Sequence, residues 1–161
     1  MRRKDREQTA EFAWDVLERC PYGVLSLIDR EGSPYAIPVS HAVLNGAVYF
    51  HSAKHGEKTK IMTANPAACL TGVVDVVPLP EEYATTYASA VVRGTMSLVE
   101  DPDEWTAALY AIVRRYAPEN LGYFETALAE DSERTAVWKL TPTEITGKAR
   151  LDDGVHVRGR G

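Results

Sequence analysis

Asn45-Gly46 lies between two β-prone segments, and this dipeptide constrains the fold more than any other feature of the chain. A two-residue hairpin turn needs positive φ at its central positions, which asparagine and glycine tolerate, so the pair predicts a hairpin and antiparallel pairing. The neighbouring segments agree. Residues 22–29, rich in Val, Leu and Ile, stop at the turn sequence Arg30-Glu31-Gly32-Ser33. Residues 34–41 form a second expected strand; Pro38 has no N–H to give to a ladder, which puts it on an edge or at a bulge. Residues 47–52 return as a third strand, and the three read as an antiparallel meander.

The rest of the chain alternates helices and strands. Phe12, Ala13, Val16, Leu17 and Cys20 recur at helical spacing, and Cys20-Pro21 ends that helix because a residue before proline is pushed out of the helical region. Gly56 opens a short helix over 57–64, closed by Asn65-Pro66. Residues 67–77 are a fourth strand, Pro78 and Pro80 break into a loop over 79–86, and 87–100 are a fifth strand in which Gly94 marks a bulge or barrel corner. Asp101-Pro102-Asp103-Glu104 starts a helix, with Asp101 as N-cap and Glu104 placed to reach back as in a capping box. Its apolar stripe is Trp105, Ala108, Leu109, Ile112, Val113 and Tyr116, and Pro118 stops it. A further helix over 121–129 and a sixth strand over 135–140 follow. Together these predict a mainly β chain with peripheral helices: a six-stranded antiparallel barrel over residues 1–150 and a loose C-terminal tail over 151–161.

At 161 residues the chain is the size of one domain, short for walling off a large cofactor alone. A formal net charge of −5 argues against a sequence-independent grip on nucleic acid. Cys20 and Cys69 make neither a disulfide framework nor a metal knuckle and read as buried thiols. The charged N-terminus has no apolar run behind it, and no stretch approaches the roughly 18–20 apolar residues that cross a bilayer, so a cytoplasmic protein is expected.

Chemistry concentrates in one segment, Tyr49 to Lys60, where three lysines and two histidines run from a strand end through a small-residue turn into a helix. A helix N-terminus presents unpaired N–H groups and the positive end of the helix dipole, so with Lys58 in the first turn it suits a phosphate. Lys54, Lys58 and Lys60 read equally as solvated charges on a surface helix. His51 is either a proton donor, since imidazole titrates near neutrality, or a structural histidine at a strand end. His41 and His55 read as surface histidines, with no metal-ligand spacing among them. Arg93, in an apolar strand, faces either solvent or a cleft where it would meet a phosphate. Trp105, Tyr110 and Trp138 read as core or interface aromatics, and Trp14, off the stripe of its helix, as a contact between subunits. The sequence has no carboxylate pair for hydrolysis and no G-x-S-x-G elbow.

The order of Pro38-Val39, the Asn45-Gly46 hairpin, Tyr49-Phe50-His51, Gly56, Lys58 and then Asn65-Pro66 entering a strand resembles the FMN-binding split barrels of the pyridoxamine 5'-phosphate oxidase-like superfamily. Met1-Arg2-Arg3-Lys4-Asp5-Arg6, the run from Tyr87-Ala88-Ser89 through Gly94 to Asp101-Pro102, and Thr146-Gly147-Lys148 are similar to its nitroimidazole-resistance branch. The likeness covers about residues 1–150 and rests on the ordered combination. It implies a homodimer with FMN at the subunit interface. Ile37, Pro38, Val39 and Ser40 would lie along the isoalloxazine edge through their backbone. His51, Ser52, Ala53 and Lys54 would sit beside the flavin or its phosphate tail, with Lys58 on the phosphate and His51 as the catalytic group. Many members of the superfamily carry an arginine where this chain has Ile37; either Lys58 with backbone N–H groups suffices, or another basic group such as Lys54 or Arg93 compensates. The implied activity is an FMN-dependent oxidoreductase that reduces a small planar acceptor such as a nitroaromatic, with NAD(P)H as donor. Without a G-x-G-x-x-G fingerprint the nicotinamide would stack directly on the flavin. The alternatives are a non-catalytic flavin, haem or deazaflavin binding or sensing module, and a barrel that has lost its cofactor.

Overall fold

The computed structural model describes residues 3–151; apart from Leu151, the expected tail over 151–161 lies outside the described residues. The chain forms β1 (Glu7–Gln8), α1 (Ala10–Arg19), β2 (Gly23–Ile28), β3 (Pro34–Val39), β4 (His41–Leu44), β5 (Ala47–Ala53), α2 (Glu57–Ala64), β6 (Ala67–Leu79), β7 (Ala84–Leu98), α3 (Pro102–Tyr116), α4 (Phe124–Asp131) and β8 (Thr135–Arg150). All pairings are antiparallel, in the order β3-β2-β6-β7-β8-β5-β4, with β1 added on β8.

That order decides the architecture. β3 and β4 are the two ends of the sheet path, yet only Ser40 separates them in sequence. The sheet therefore curls until its ends meet at that residue. β3 and β4 are not paired with each other, so the barrel is split there. Leu25, Leu27, Val48, Phe50, Leu70, Val92 and Leu140 fill the interior, and α1 closes it with Ala13, Val16, Leu17 and Cys20. A second cluster lies outside the barrel wall, where α3 (Ala108, Leu109, Ile112) and Phe124 cover Ala47, Tyr49 and Val137.

Several sequence expectations change. The strands number eight, not six. His41, expected at the end of the second strand, instead opens a separate strand over 41–44, because the chain crosses at Ser40 with no turn residue to mark it. The other addition, β1, is only two polar residues long and has no periodicity to read. The three-stranded meander is accordingly two hairpins, β2-β3 and β4-β5, at opposite ends of the sheet path. Asn45 and Gly46 do form the second turn, at φ 51° and 72°. β6 and β7 run on through half of the expected 79–86 loop, leaving a turn at Pro80–Glu82, and β8 continues past Pro142 to Arg150. Gly94 permits that continuation: the β7–β8 register shifts between Arg93 and Gly94, and a Cβ on Gly94 would lie 2.0 Å from the Thr141 carbonyl oxygen. Asp101 caps α3 by accepting from the Glu104 N–H at 2.8 Å. The reciprocal half of the capping box does not form, because the Glu104 carboxylate accepts from Tyr49 Oη at 2.6 Å and Lys139 Nζ at 2.7 Å.

His41 is not a surface histidine; it is fully buried. As the first residue of β4 it turns inward beneath the end of α1, where its Nε2 lies 2.9 Å from the Leu17 carbonyl oxygen and 3.9 Å from Cys20 Sγ. Nδ1 has no partner among the described residues. Arg115 of α3 donates to the Leu17 and Cys20 carbonyls, satisfying the same helix end. Burial first, and the Arg115 charge second, push the His41 pKa down to about 4. Cys20 is buried as expected, whereas Cys69 is only half-buried. Trp14, read as a subunit contact, packs partly buried against the barrel core.

Candidate cofactor site

β5 carries the chemical segment to the place where the barrel splits. Strand alternation turns Val48, Phe50 and Ser52 one way and Tyr49, His51 and Ala53 the other. Val48 and Phe50 belong to the barrel core and Tyr49 to the outer cluster, so His51 projects from the outer face, opposite Val137 of β8. Because His41 pairs with Phe50, extending the register by one residue sets Ser40 level with His51. Ser40, where β3 gives way to β4, thus lies beside His51 at the split. Ile37 and Val39 point into the core, so any contact they make with a ligand comes from backbone. β3 pairs only with β2, which leaves alternate peptide groups on its other side without a sheet partner.

After Ala53 the chain bends into α2, and the Lys54 N–H donates to the Arg134 carbonyl at 3.2 Å. Gly56 adopts φ +147°, which residues with a Cβ rarely take, and nothing lies within 4 Å of where a Cβ would be. No side chain caps α2, so its first-turn N–H groups face outward unpaired. Lys54 lines two hollows. One, of about 530 Å³, runs from Asp29–Glu31 to the start of α2 and has mixed charge, with Glu31 and Glu57 against Lys54 and Lys60. The other, of about 720 Å³, is mostly apolar, with Met62, Met96, Trp105 and Trp138 in its wall. Trp138 Nε1 is buried there without a hydrogen-bond partner among the described residues.

Lys58 lines neither hollow. It lies near enough to His51 for its charge to oppose protonation of the imidazole. The His51 pKa is accordingly lowered, first by the packed atoms around the ring and second by Lys58, even though the residue keeps an exposed edge. A neutral imidazole offers one donor and one acceptor. His51 also lines a recess of about 210 Å³ beneath α3 and α4, which shares Trp105, Ser132 and Thr135 with the 720 Å³ cavity. Ser52 is buried and spends its hydroxyl on the Ala53 carbonyl at 2.9 Å.

Arg93 is not brought to this place within one chain. It is exposed, 3.9 Å from Glu144, and lines a separate cavity of about 430 Å³ with Cys69 and Pro34. Glu144 lies opposite Arg93 and Val137 opposite His51, which separates the two by roughly 23 Å along β8. The cavity walls from Trp105, Trp138, Met62 and Met96 were not legible as site residues, because an aromatic or Met in an apolar stripe carries the same pattern in a core and in a cavity wall. Among the described residues there is no group of three or more His, Cys, Asp or Glu placed to hold a metal ion, and no helix long and apolar enough to cross a membrane.

A family model described as pyridoxamine 5'-phosphate oxidase matches residues 9–149. The chain belongs to the pyridoxamine 5'-phosphate oxidase family. No curated protein matches it by sequence. Among solved structures it is similar to a candidate 5-nitroimidazole antibiotic resistance protein from Bacteroides thetaiotaomicron, at 24% identity and TM-score 0.75, covering 88% of this chain and 84% of that one. A conserved hypothetical protein from Mycobacterium tuberculosis superposes at TM-score 0.80 and 14% identity, covering 99% and 96%. A flavocytochrome from Azotobacter vinelandii does so at TM-score 0.78 and 21% identity, covering 96% and 75%. At these identities the structures establish that this family member has the split-barrel fold.

Proposed function

We propose that this family member binds FMN between two copies of the chain and acts as an oxidoreductase on a small planar acceptor such as a nitroaromatic, with NAD(P)H as donor. The observation that carries the reading is the uncapped, glycine-led start of α2 in the mixed-charge hollow of about 530 Å³, joined through Lys54 and Thr59, which line both, to the apolar cavity of about 720 Å³. One end offers N–H groups, a helix dipole and a lysine to a phosphate; the other offers aromatic and thioether surface to a ring system. The unpaired Trp138 Nε1 and the free edge of β3 add hydrogen-bonding capacity of the kind a flavin ring's nitrogens and carbonyls use. The fit is thus favourable at both ends. Bound flavin would supply the electron chemistry. Lys54 and Lys58 would hold the phosphate, residues 37–40 would orient the ring through backbone, and His51 would deliver a proton to the reduced acceptor. The chain's likeness to an FAD-binding protein and an FAD- and haem-binding protein, both from Mycobacterium smegmatis, and to the candidate nitroimidazole resistance protein supports a flavin site.

Two copies are needed because the outer face of β3, β2 and β6 is a broad apolar surface. Pro34, Ala36 and Pro38, Val24 and Ile28, and Val73 all project from it; Val24, Ile28 and Val73 are 37%, 42% and 44% exposed. A contiguous face of this kind marks an interface. Arg93 and Cys69 lie on the same face, so a pairing there would bring Arg93 into the interface.

Absorption and fluorescence titrations with FMN test the reading. A quenched, NAD(P)H-reducible flavin that reoxidises with a nitroaromatic is expected. Lys58→Ala should weaken FMN about ten- to hundredfold, the loss of one charged phosphate contact. Binding without reduction would leave a flavin-binding module, and no binding would leave a barrel without this cofactor.

A further inference from the structure

A recess of about 210 Å³, open to solvent on one side, lies between α3, α4 and β5. Its walls are Trp105, Leu109, Phe124 and Leu128. The Phe124 ring is fixed by an edge-to-face contact with Tyr110, at 5.3 Å between centroids and 87° between planes. His51 is the one imidazole in the lining, which also holds Asp131, Ser132 and Thr135. An engineered cavity of about 150 Å³ with a comparable aliphatic and aromatic lining stays dry and takes up benzene. The recess here is larger, is open on one side, and adds His51, Asp131, Ser132 and Thr135 to its apolar wall.

We propose that this recess is a binding site for a small single-ring aromatic molecule, whose ring packs against Trp105 and Phe124 and whose one polar substituent meets His51. The apolar walls supply the affinity. The imidazole supplies orientation, and its lowered pKa keeps it neutral near pH 7, so it accepts from a hydroxyl or donates to a nitro oxygen. Because Trp105 and Thr135 are shared with the 720 Å³ cavity, a ring held here lies against the wall of the proposed flavin site. Its role as the acceptor subsite rests on the flavin reading, whereas ring binding itself does not.

Phenol and toluene are the probes, titrated calorimetrically into the protein with and without FMN. Saturable one-to-one phenol binding without FMN is expected. Ala127→Phe, at an exposed α4 position in the lining, should abolish it while leaving FMN affinity unchanged. His51→Ala should weaken phenol about three- to tenfold and leave toluene unaffected, the loss of one neutral hydrogen bond. Circular dichroism confirms that each variant is folded. No saturable phenol binding to the folded wild-type chain, or equal binding to Ala127→Phe, overturns the proposal. Loss of FMN binding alone would overturn only the flavin reading.

Discussion

His41 shows how much a single residue's surroundings decide. In sequence it is one polar residue at a strand boundary; in the fold it is a neutral imidazole sealed beneath α1, with Arg115 as a charged neighbour. Its pKa falls from about 6.5 to about 4, so the unfolded chain binds its proton first. The stability tied to neutral His41 is fully present above about pH 6.5 and is lost as pH falls toward about 4, reaching about 3 kcal/mol. Urea melts at pH 7 and pH 4.5 check this. The wild type should lose more stability between the two than His41→Gln, which cannot titrate; equal losses would assign the acid limb to carboxylates. The lysines divide in a way that no spacing rule foretells. Lys54 lies at the two hollows, whereas Lys58, the sequence's leading phosphate contact, acts on His51. Ile37, the departure from the family's arginine, points into the core, and any positive charge in its place must come from elsewhere.

Among the elements, those governed by local chemistry were read well. α2 spans the expected 57–64, because Gly56 and Asn65-Pro66 bound it by backbone preference alone. α3 starts where Asp101 and Pro102 say it should. β6 was underestimated because Pro78 was read as a breaker, and the last strand was read only to residue 140, whereas sheet pairing carries β6 through Pro78 and β8 through Pro142. Gly94 carries the β8 case. The atom a Cβ would strike is backbone, the Thr141 carbonyl oxygen, which cannot rotate away. Gly94→Ala should therefore destabilise the protein by about 1–3 kcal/mol or more, as overpacking does. Chemical denaturation measures it, and a change under about 0.5 kcal/mol, the scale of a neutral surface substitution, would show that the bulge relaxes.

For the molecule as a whole, the exposed apolar face of β3, β2 and β6 sets the expectation. Val24→Glu puts a charge at its centre and, in a symmetric pair, a second charge from the partner. Sedimentation should show the wild type at twice the monomer mass and Val24→Glu as a folded monomer. FMN affinity should fall with the dimer, because the proposed site lies between two copies. A variant still dimeric, with unchanged FMN affinity, would place the interface elsewhere.

The sequence by itself determined what short-range physics governs: the Asn45-Gly46 turn, the helix caps, the Gly94 bulge, and the concentration of basic and imidazole groups between His51 and Lys60. The ordered combination of these was enough for the family. The tertiary structure alone decided which strands are neighbours, since pairing across the barrel is non-local and Ser40 carries no mark that the chain there passes from one end of the sheet to the other. That crossing sets Ser40 level with His51, buries His41 and leaves Arg93 on a separate face, because in a curled sheet the position of a side chain follows from register and closure rather than from its neighbours in sequence.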